Sequence, residues 1–468
     1  MAGVICPIRQ HASQHPEQPA LYLDGQPVSY GELDQRLNAL GQQLDAAGLL
    51  AGDALGLIAR NGLPTLLLIW AALRRQLILC PLNPALPEAS QQTWCQRLAI
   101  QALWREAGPL AGHWQNLTPN WQARSPQGAA RLDPAALCNK LLTSGSSGQA
   151  KVVVHRLAQH LANAQGSRQQ IPLTRGDGWL LSLPLYHVGG FAIPLRCFAA
   201  GATLVLPDAK LPLKDQLRRD PISHLSLVPT QLWRLLAAPD FRLSQTRLRV
   251  LLLGGAPIPQ ALVAACQAQG LSPLVSYGLS EMGSQVCTRV CGSDSQVVGR
   301  PLPGREVCLQ AGEICVRGET LFAGYETEDG LALPLDPAGW FHTRDKGEWT
   351  VDGELKVCGR LDNQFVCGGE NIQPEQIEAA LLEHPDVAQA LVVPLADAQW
   401  GHRPVAFIQW HSGAAVDDLE AWLRQRLPGY LVPRHWLAWP AQEDGLKPSR
   451  REFAALAARQ LAAPAQGA

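Results

Sequence analysis

The sequence has no excess of charge of either sign. Its 468 residues include 39 basic and 40 acidic side chains, which gives a formal net charge of −1. Because no net positive field attracts a polyanion, nucleic-acid binding is not expected, and an anionic ligand must be held by a local site. No internal repeat is evident, so a solenoid or propeller is not expected.

The cysteines form none of the closely spaced pairs that commonly bind metals. The twelve thiols are scattered, and no C-x-x-C pair occurs among them. The nearest neighbours are Cys287 with Cys291 and Cys308 with Cys315, and the sequence completes neither pair with a histidine or a second cysteine pair. We therefore expect buried, reduced thiols in a cytoplasmic protein rather than a metal site.

Long apolar runs are missing as well. The most apolar segment, residues 63–73, has about half the length of a bilayer span and stops at Arg74 and Arg75. The first ten residues lack the basic region and the apolar core of a secretory signal. The sequence thus predicts a cytoplasmic protein without an integral membrane segment, in which residues 63–75 form a buried helix.

Short apolar strands alternate with helical patterns up to about residue 299. With 47% apolar residues, the chain is long enough to build more than one core. This alternation is typical of the α/β class, with stacked, mostly parallel sheets covered by helices. The predicted strands are 55–59, 77–82, 180–184, 203–206, 224–228 and 250–253, and helices are predicted at 230–238 and 259–269.

The pattern changes after residue 299. Short strands separated by Gly- and Asp-containing turns predict a small antiparallel or barrel-like part, and the residues beyond 361 predict an α+β unit. We expect a large N-terminal domain at 1–361 and a small, mobile C-terminal domain at 362–468. The strands of the first part are predicted at 306–310, 312–316, 347–351 and 354–357, and the elements of the second at 374–384, 387–394, 404–410, 416–427 and after 448.

A loop rich in serine and glycine occupies residues 143–151. Its sequence is Thr143-Ser144-Gly145-Ser146-Ser147-Gly148-Gln149-Ala150-Lys151. Glycines let backbone amides turn toward an anion, hydroxyls donate hydrogen bonds, and the lysine supplies a positive charge. The Walker pattern is absent. The loop indicates a phosphate site, although a flexible Ser/Gly linker has the same composition.

Four further segments follow in order, and each by itself has an ordinary structural explanation. Tyr277 and Glu281 lie where a strand ends in a turn, and there they could stack on a base and hold a divalent metal. Asp345 could accept the hydroxyls of a ribose or form an Asx turn. A lone lysine such as Lys447 is usually a solvated surface group. The segments are 275–281, 342–347, 359–374 and 445–450.

Taken together, these five segments resemble the adenylate-forming superfamily of acyl-CoA synthetases, peptide-synthetase adenylation domains and luciferases. The resemblance extends from about residue 20 to residue 455. Segments 182–190, 227–236 and 359–373 are further similar to those of 2-succinylbenzoate–CoA ligases of menaquinone synthesis, particularly the short enterobacterial type.

The resemblance implies an ATP-dependent acid–CoA ligase that uses ATP, Mg²⁺ and CoA. Lys447, Glu281 and Lys151 would be catalytic, with Glu281 binding Mg²⁺ and Thr143 a weaker metal ligand. Asp362 would be the hinge between the domains. The ATP-binding residues would be Thr143, Ser144, Gly145, Ser146, Ser147, Gly148, Gly255, Ala256, Tyr277, Gly278, Ser280, Asp345 and Arg360.

The implied substrate is an aromatic dicarboxylate, whose second carboxylate needs a cation. Arg196 is the candidate for this carboxylate, although a charge on a helix surface is the ordinary explanation for such a residue. His187 would close the mouth of the pocket rather than act as a base. The remaining residues implied to line the pocket are Gly190, Thr230 and Gly254.

The sequence departs from the superfamily pattern at four sites. Ala150 replaces a usual proline, Ser280 a usual threonine and Arg344 a usual glycine, and a usual lysine is missing between Phe365 and Gly368. Three alternatives stay open. The enzyme could act on another aromatic or fatty acid, could pass the acyl group to a carrier protein, or could be a nucleotide-binding protein without catalytic activity. The sequence leaves the oligomeric state undetermined.

Overall fold

The computed structural model describes residues 3–126, 128, 131–143, 150–397, 399–411, 419–440 and 449–462. The helices are α1 (Pro7–Gln14), α2 (Tyr30–Ala46), α3 (Leu63–Arg74), α4 (Glu88–Arg97), α5 (Leu157–Ser167), α6 (Val188–Ala200), α7 (Leu213–Arg219), α8 (Pro229–Leu236), α9 (Gln260–Gln267), α10 (Pro374–Leu382), α11 (Leu419–Arg424) and α12 (Arg450–Ala462). In the described part of the chain, no helix combines the length and the apolar character needed to cross a membrane.

The strands are short and belong to several sheets. They are β1 (Val4–Ile5), β2 (Pro19–Leu23), β3 (Gln26–Ser29), β4 (Ala54–Ile58), β5 (Ile78–Leu82), β6 (Ile100–Arg105), β7 (Gln115–Asn116), β8 (Arg131–Leu132), β9 (Leu137–Thr143), β10 (Lys151–Arg156), β11 (Gly178–Leu180), β12 (Thr203–Val205), β13 (His224–Leu227), β14 (Val250–Leu253), β15 (Leu274–Leu279), β16 (Ser284–Val290), β17 (Val297–Gly299), β18 (Arg305–Gln310), β19 (Glu313–Gly318), β20 (Gly324–Thr327), β21 (Gly330–Ala332), β22 (Phe341–Trp349), β23 (Leu355–Arg360), β24 (Phe365–Cys367), β25 (Glu370–Ile372), β26 (Val387–Asp397), β27 (Gly401–Trp410) and β28 (His435–Ala438).

Two eight-stranded sheets form the large N-terminal part. One has the order β16-β15-β14-β13-β11-β12-β2-β3 and is parallel except at its two edges. The other has the order β21-β20-β10-β9-β5-β4-β6-β7 and is parallel from β9 to β7. Buried side chains of both sheets join those of α2, α3 and α6 in one core. The expected α/β class with mostly parallel sheets is confirmed.

The ends of individual elements follow from local chemistry. Ser29 caps α2, because its hydroxyl accepts the Glu32 amide at 3.2 Å. Helix α3 is apolar on nearly all sides and is buried over most of its length, as its composition predicts. The predicted strand at 180–184 is wrong beyond Leu180. The side chain of Asn61 donates to the carbonyl groups of Leu181 and Leu183, so these groups pair with an amide instead of a neighbouring strand.

A two-stranded sheet pairs β1 with β8, and two five-stranded sheets complete the described part of the chain. An antiparallel sheet has the order β17-β23-β22-β19-β18, and its strand β22 runs from Phe341 to Trp349, well beyond the predicted 347–351 at its N-terminal end. Strands β25, β24, β27 and β26 form another sheet, with β28 parallel to β27. The short turn Leu361–Asn363 joins β23 to β24. The predicted domain boundary falls in this turn.

Candidate active site

The predicted nucleotide-binding segments follow the carboxyl ends of adjacent parallel strands. Gly254 and Gly255 come directly after β14, and the turn Ser280–Met282 comes directly after β15. A side chain at Gly254 would approach the carbonyl oxygen of Ser276 to 3.1 Å, and Gly255 has a φ of +79°. Open α/β sheets bind ligands at this edge. The glycines therefore allow a close backbone approach where a ligand is expected.

The serine- and glycine-rich loop connects two paired strands. Thr143, at the end of β9, lies opposite Lys151, at the start of β10. Both ends of the loop are thereby fixed in register beside each other. Several predicted site residues lie outside the described residues, namely Ser144, Gly145, Ser146, Ser147, Gly148 and Lys447.

Tyr325 connects two of the predicted catalytic side chains. Its hydroxyl donates to Oε1 of Glu281 at 2.6 Å, and the ammonium group of Lys151 lies 4.6 Å from the centre of its ring. Burial and the Glu281 carboxylate raise the pKa of the Tyr325 hydroxyl, so it stays a donor. Strand β20 brings Tyr325 here by pairing with β10. Reasoning from sequence missed this residue, because a lone Gly-Tyr pair carries no distinctive chemistry.

A second cluster surrounds Asp345. Its carboxylate accepts the hydroxyl of Tyr277 at 2.6 Å and a guanidinium nitrogen of Arg360 at 3.0 Å. Arg360 also forms two hydrogen bonds with Asp362, at 2.8 and 3.0 Å. These bonds to Asp362 are the main cause that raises the pKa of Arg360. The structure thus joins the predicted ribose, adenine and hinge residues in one network.

Tyr277 is only 8% exposed and packs among apolar side chains. Burial, followed by the Asp345 carboxylate, raises the pKa of its hydroxyl well above the usual value. In this arrangement the Tyr277 hydroxyl holds the Asp345 carboxylate in place. Stacking of Tyr277 on a base stays a prediction. Only glycine fits at position 278, since a Cβ atom there would lie 2.1 Å from the carbonyl oxygen of Ser284. Ala256, after Gly255, is partly exposed.

Arg344 adopts a backbone conformation that favours glycine. Its φ is +66°, in the left-handed region, and its amide donates to Oε1 of Glu313 at 2.8 Å. Thr343 uses its hydroxyl to accept the Asp345 amide at 3.0 Å. The departure from the superfamily pattern therefore costs backbone strain, and the turn that presents Asp345 is kept by side-chain hydrogen bonds.

A buried histidine supports the turn that carries Glu281. Nε2 of His155 lies 2.7 Å from the carbonyl oxygen of Ser280, and its Nδ1 lies 2.8 Å from Oδ1 of Asn139. The side-chain amide of Asn139 also contacts Nε2 of His160 at 2.9 Å. Burial lowers the pKa of His155 to about 4 and that of His160 well below its usual value. Both rings are therefore neutral near pH 7 and serve as hydrogen-bonding supports.

Arg196 is buried, with 5% of its surface exposed, so the helix-surface explanation is wrong. It donates to Oδ1 of Asn163 at 3.0 Å and lies 5.6 Å from the ring centre of Trp179. Its Nε atom has no hydrogen-bond partner among the described residues. Burial and the nearby Arg305 lower the pKa of Arg196 to about 9, which still leaves it charged at pH 7. A buried cation with an unused donor is suited to an anionic ligand.

The other predicted pocket residues lie at the same edge of the sheet. The segment after β11 leads to His187 and Gly190 at the start of α6, and Thr230 is in the first turn of α8, after β13. Because β14, β13 and β11 are parallel neighbours, these residues and Gly254 share one edge. His187 is exposed, as a residue at a pocket mouth must be. Gly190 packs so closely that a Cβ atom would lie 2.1 Å from the carbonyl oxygen of Pro184.

Comparison with known proteins identifies the family. The profile of the AMP-binding enzyme family matches residues 8–326. The chain belongs to the AMP-binding enzyme family. A second profile, the AMP-binding enzyme C-terminal domain, matches residues 376–443. As a member of this family, the chain is 40% identical to 2-succinylbenzoate–CoA ligase of Salmonella typhimurium, with 95% of this chain and 96% of that protein covered. The ligase of the same name from Escherichia coli is 37% identical over the same shares.

Solved structures agree with this placement in the AMP-binding enzyme family. A variant of Escherichia coli MenE with bound OSB-AMS has 35% sequence identity and a TM-score of 0.89, with 98% of this chain and 100% of that chain covered. The o-succinylbenzoate CoA synthetase (MenE) of Bacillus subtilis, in complex with the acyl-adenylate intermediate OSB-AMP, has 25% identity and a TM-score of 0.84, with coverages of 97% and 98%.

Proposed function

We propose that this protein is a 2-succinylbenzoate–CoA ligase of menaquinone biosynthesis, which forms 2-succinylbenzoyl-CoA, AMP and pyrophosphate. The observation that carries the proposal is the 40% identity to a ligase of that name across 95% of the chain. The fold, the Glu281–Tyr325–Lys151 contacts and the Asp345 network support an enzyme that holds a nucleotide.

In the first half-reaction, a carboxylate oxygen of the acid attacks the α-phosphorus of ATP. The new bond gives the acyl-adenylate, and the bond to pyrophosphate breaks. Lys151 and Lys447 would balance the negative charge that builds up on the phosphates. The carboxylate of Glu281 has the oxygen donors that Mg²⁺ prefers, and the ion would supply further charge neutralisation. Asp345, held by Arg360, would bind the ribose hydroxyls.

In the second half-reaction, the CoA thiol attacks the acyl carbonyl. A carbon–sulfur bond forms and AMP leaves with the bonding electrons of the acyl–phosphate linkage. Lys447 serves the first step and must withdraw to admit the thiol, so we propose that domain 362–468 rotates against 1–361 about Asp362. The turn Leu361–Asn363, which contains Asp362, and the Arg360–Asp362 ion pair support this position for the hinge.

The specificity for a dicarboxylate would come from Arg196. One carboxylate of 2-succinylbenzoate reacts, and the other needs a cation in an otherwise apolar pocket. The buried guanidinium with its unused Nε donor meets that need, directly or through a water molecule. A fatty acid has no second carboxylate, so this buried charge would count against a fatty acyl ligase.

The decisive experiment is acid-dependent ATP–pyrophosphate exchange with a panel of acids. We expect exchange with 2-succinylbenzoate and far less with benzoate, coumarate or fatty acids, followed by thioester formation when CoA is added. Exchange with none of the acids would indicate a binding protein, and preference for another acid would leave the ligase chemistry in place but refute the substrate.

The twelve free thiols support a cytoplasmic location, where thiols stay reduced.

A further inference from the structure

Three neighbouring strands place two thiols and an imidazole side by side. In the antiparallel pairing, Cys315 of β19 lies opposite Cys308 of β18 on one side and opposite His342 of β22 on the other. Directly opposed residues of antiparallel strands point to the same face. We refer to Cys308, Cys315 and His342 as the cross-strand row. Glu313 is two residues before Cys315 and so shares its face.

The functional atoms of these residues converge. Nδ1 of His342 lies 3.5 Å from Sγ of Cys315 and 2.9 Å from Oε2 of Glu313. One ligand atom from each of these three residues lies within 4.8 Å of the other two. Cys308 is the paired residue of Cys315 on the neighbouring strand and is not a member of this group. A carboxylate, a thiol and an imidazole thus surround one point.

These separations suit a tetrahedral metal ion. For Zn–S of about 2.3 Å and Zn–N of about 2.0–2.1 Å, sulfur and nitrogen ligands lie roughly 3.5 Å apart, as the Cys315 and His342 atoms do. The Glu313 oxygen is closer to Nδ1 than such a site requires and would retreat by about 0.5 Å. The other ring nitrogen of His342 faces a carboxylate oxygen of Asp336 at 3.5 Å. Carboxylates in that position commonly orient histidines that bind metals.

We propose that Glu313, Cys315 and His342 form a binding site for a thiophilic divalent cation of the Zn²⁺ class, with water as the fourth ligand. Neither the proposed ligase reaction nor its Mg²⁺ requirement uses this site. The Zn²⁺ class fits because thiolate and imidazole ligands favour it, whereas Mg²⁺ prefers oxygen ligands only. In the sequence, no histidine lies near Cys308 and Cys315, but strand pairing in the sheet places His342 opposite Cys315.

The site is coupled to the turn before Asp345. The Oε1 atom of Glu313 accepts the amide of Arg344, while its Oε2 atom belongs to the proposed ligand set. His342 is three residues before Asp345 on the same strand. A bound ion would therefore hold both anchors of the strained turn that presents Asp345. Ion binding should stabilise the protein and should have little effect on the pocket for the acid.

The test uses the full-length, untagged protein, reduced and freed of metal with a chelator. Co²⁺ is added as a spectroscopic probe and Zn²⁺ as a competitor. We expect one equivalent of Co²⁺ to give a thiolate charge-transfer band and the intense visible bands of a tetrahedral site, and Zn²⁺ to remove both. The melting temperature should rise in the presence of Zn²⁺.

The matched variants are Cys315→Ser in the cross-strand row and Cys358→Ser on β23 of the same sheet. Cys315→Ser should abolish the charge-transfer band, whereas Cys358→Ser should leave it unchanged. His342→Asn should weaken Co²⁺ binding at least tenfold. Absence of the band in the wild-type protein would overturn the proposal, even if Cys315→Ser failed to fold. Oxidation of Cys308 and Cys315 to a disulfide without metal uptake would overturn it as well.

Discussion

The contact between Tyr325 and Glu281 gives a sharp test of the candidate active site. The substitution Tyr325→Phe removes the hydroxyl that donates to Glu281 at 2.6 Å and keeps the ring beside Lys151. The ring packs against Phe322 and Phe341, so phenylalanine should retain the local packing. The variant therefore isolates one hydrogen bond between strand β20 and the turn Ser280–Met282.

The magnitude follows from the charge on Glu281. Hydrogen bonds to charged groups contribute about 1.5–3 kcal/mol, and the partial exposure of Glu281 favours the lower end. A loss of about 1.4 kcal/mol is a factor of ten. If Tyr325 orients the carboxylate for Mg²⁺, the Mg²⁺ concentration for half-maximal activity should rise about tenfold. The KM for 2-succinylbenzoate should stay unchanged, because the acid pocket is elsewhere.

The assay is acid-dependent ATP–pyrophosphate exchange at a series of free Mg²⁺ concentrations. Tyr430→Phe is the matched control, since Tyr430 is 43% exposed in the C-terminal part. Tyr325→Leu also removes the ring beside Lys151. Because such a cation–π contact contributes about 0.5–1 kcal/mol at exposed sites, Tyr325→Leu should lose more exchange activity than Tyr325→Phe. An unchanged or lower Mg²⁺ requirement in Tyr325→Phe would refute the reasoning.

Four further predictions address the rest of the molecule. Arg196→Ala should raise the KM for 2-succinylbenzoate far more than that for ATP, and equal effects would contradict its assignment. Asp362→Pro should retain adenylate formation but lose thioester formation, and equal loss of both would contradict the hinge. Arg344→Gly should raise the free energy of unfolding by roughly 0.5–1 kcal/mol in denaturant titrations, because it relieves a positive φ, and a decrease would contradict this account. Burial lowers the pKa of His155 from 6.5 in the unfolded chain to about 4 in the folded protein. Between these pH values the unfolded state binds more protons than the folded state. The free energy of unfolding should therefore fall as the pH drops from 6.5 toward 4. His155→Gln should reduce that slope by up to about 1.4 kcal/mol per pH unit, and an unchanged slope would exclude His155 as its source.

Local signals in the sequence carried a large part of this structure. The apolar run at residues 63–73 predicted the buried helix α3, and the predicted strand at 250–253 is β14. The strand end after Leu180 was misjudged, because the side chain that pairs with the next carbonyl groups belongs to Asn61, far earlier in the chain. Short-range patterns report backbone preference, and they carry no information about such distant partners.

The order of the motifs along the chain indicated the type of reaction, which is adenylation. The phosphate loop, Glu281, Asp345 and Lys447 each have an ordinary explanation by themselves, and their succession in the sequence is what indicates adenylation. The contacts of Glu281 and Asp345 were decided by the tertiary structure. The pairing of β20 with β10 brings Tyr325 to Lys151 and Glu281. The register of β22 with β23 places Arg360 opposite Asp345, and Tyr277 reaches Asp345 from another sheet.

For the cysteines, the sequence indicated no site, and the tertiary structure brought candidate metal ligands together. By itself, the sequence determined that the thiols are scattered, unpaired and compatible with a reducing compartment. Only the sheet decided that Cys315 has Cys308 and His342 as direct neighbours, although His342 is far away along the chain. The physical reason is that antiparallel pairing aligns side chains by register across strands, so a ligand set can form from residues that no spacing rule connects.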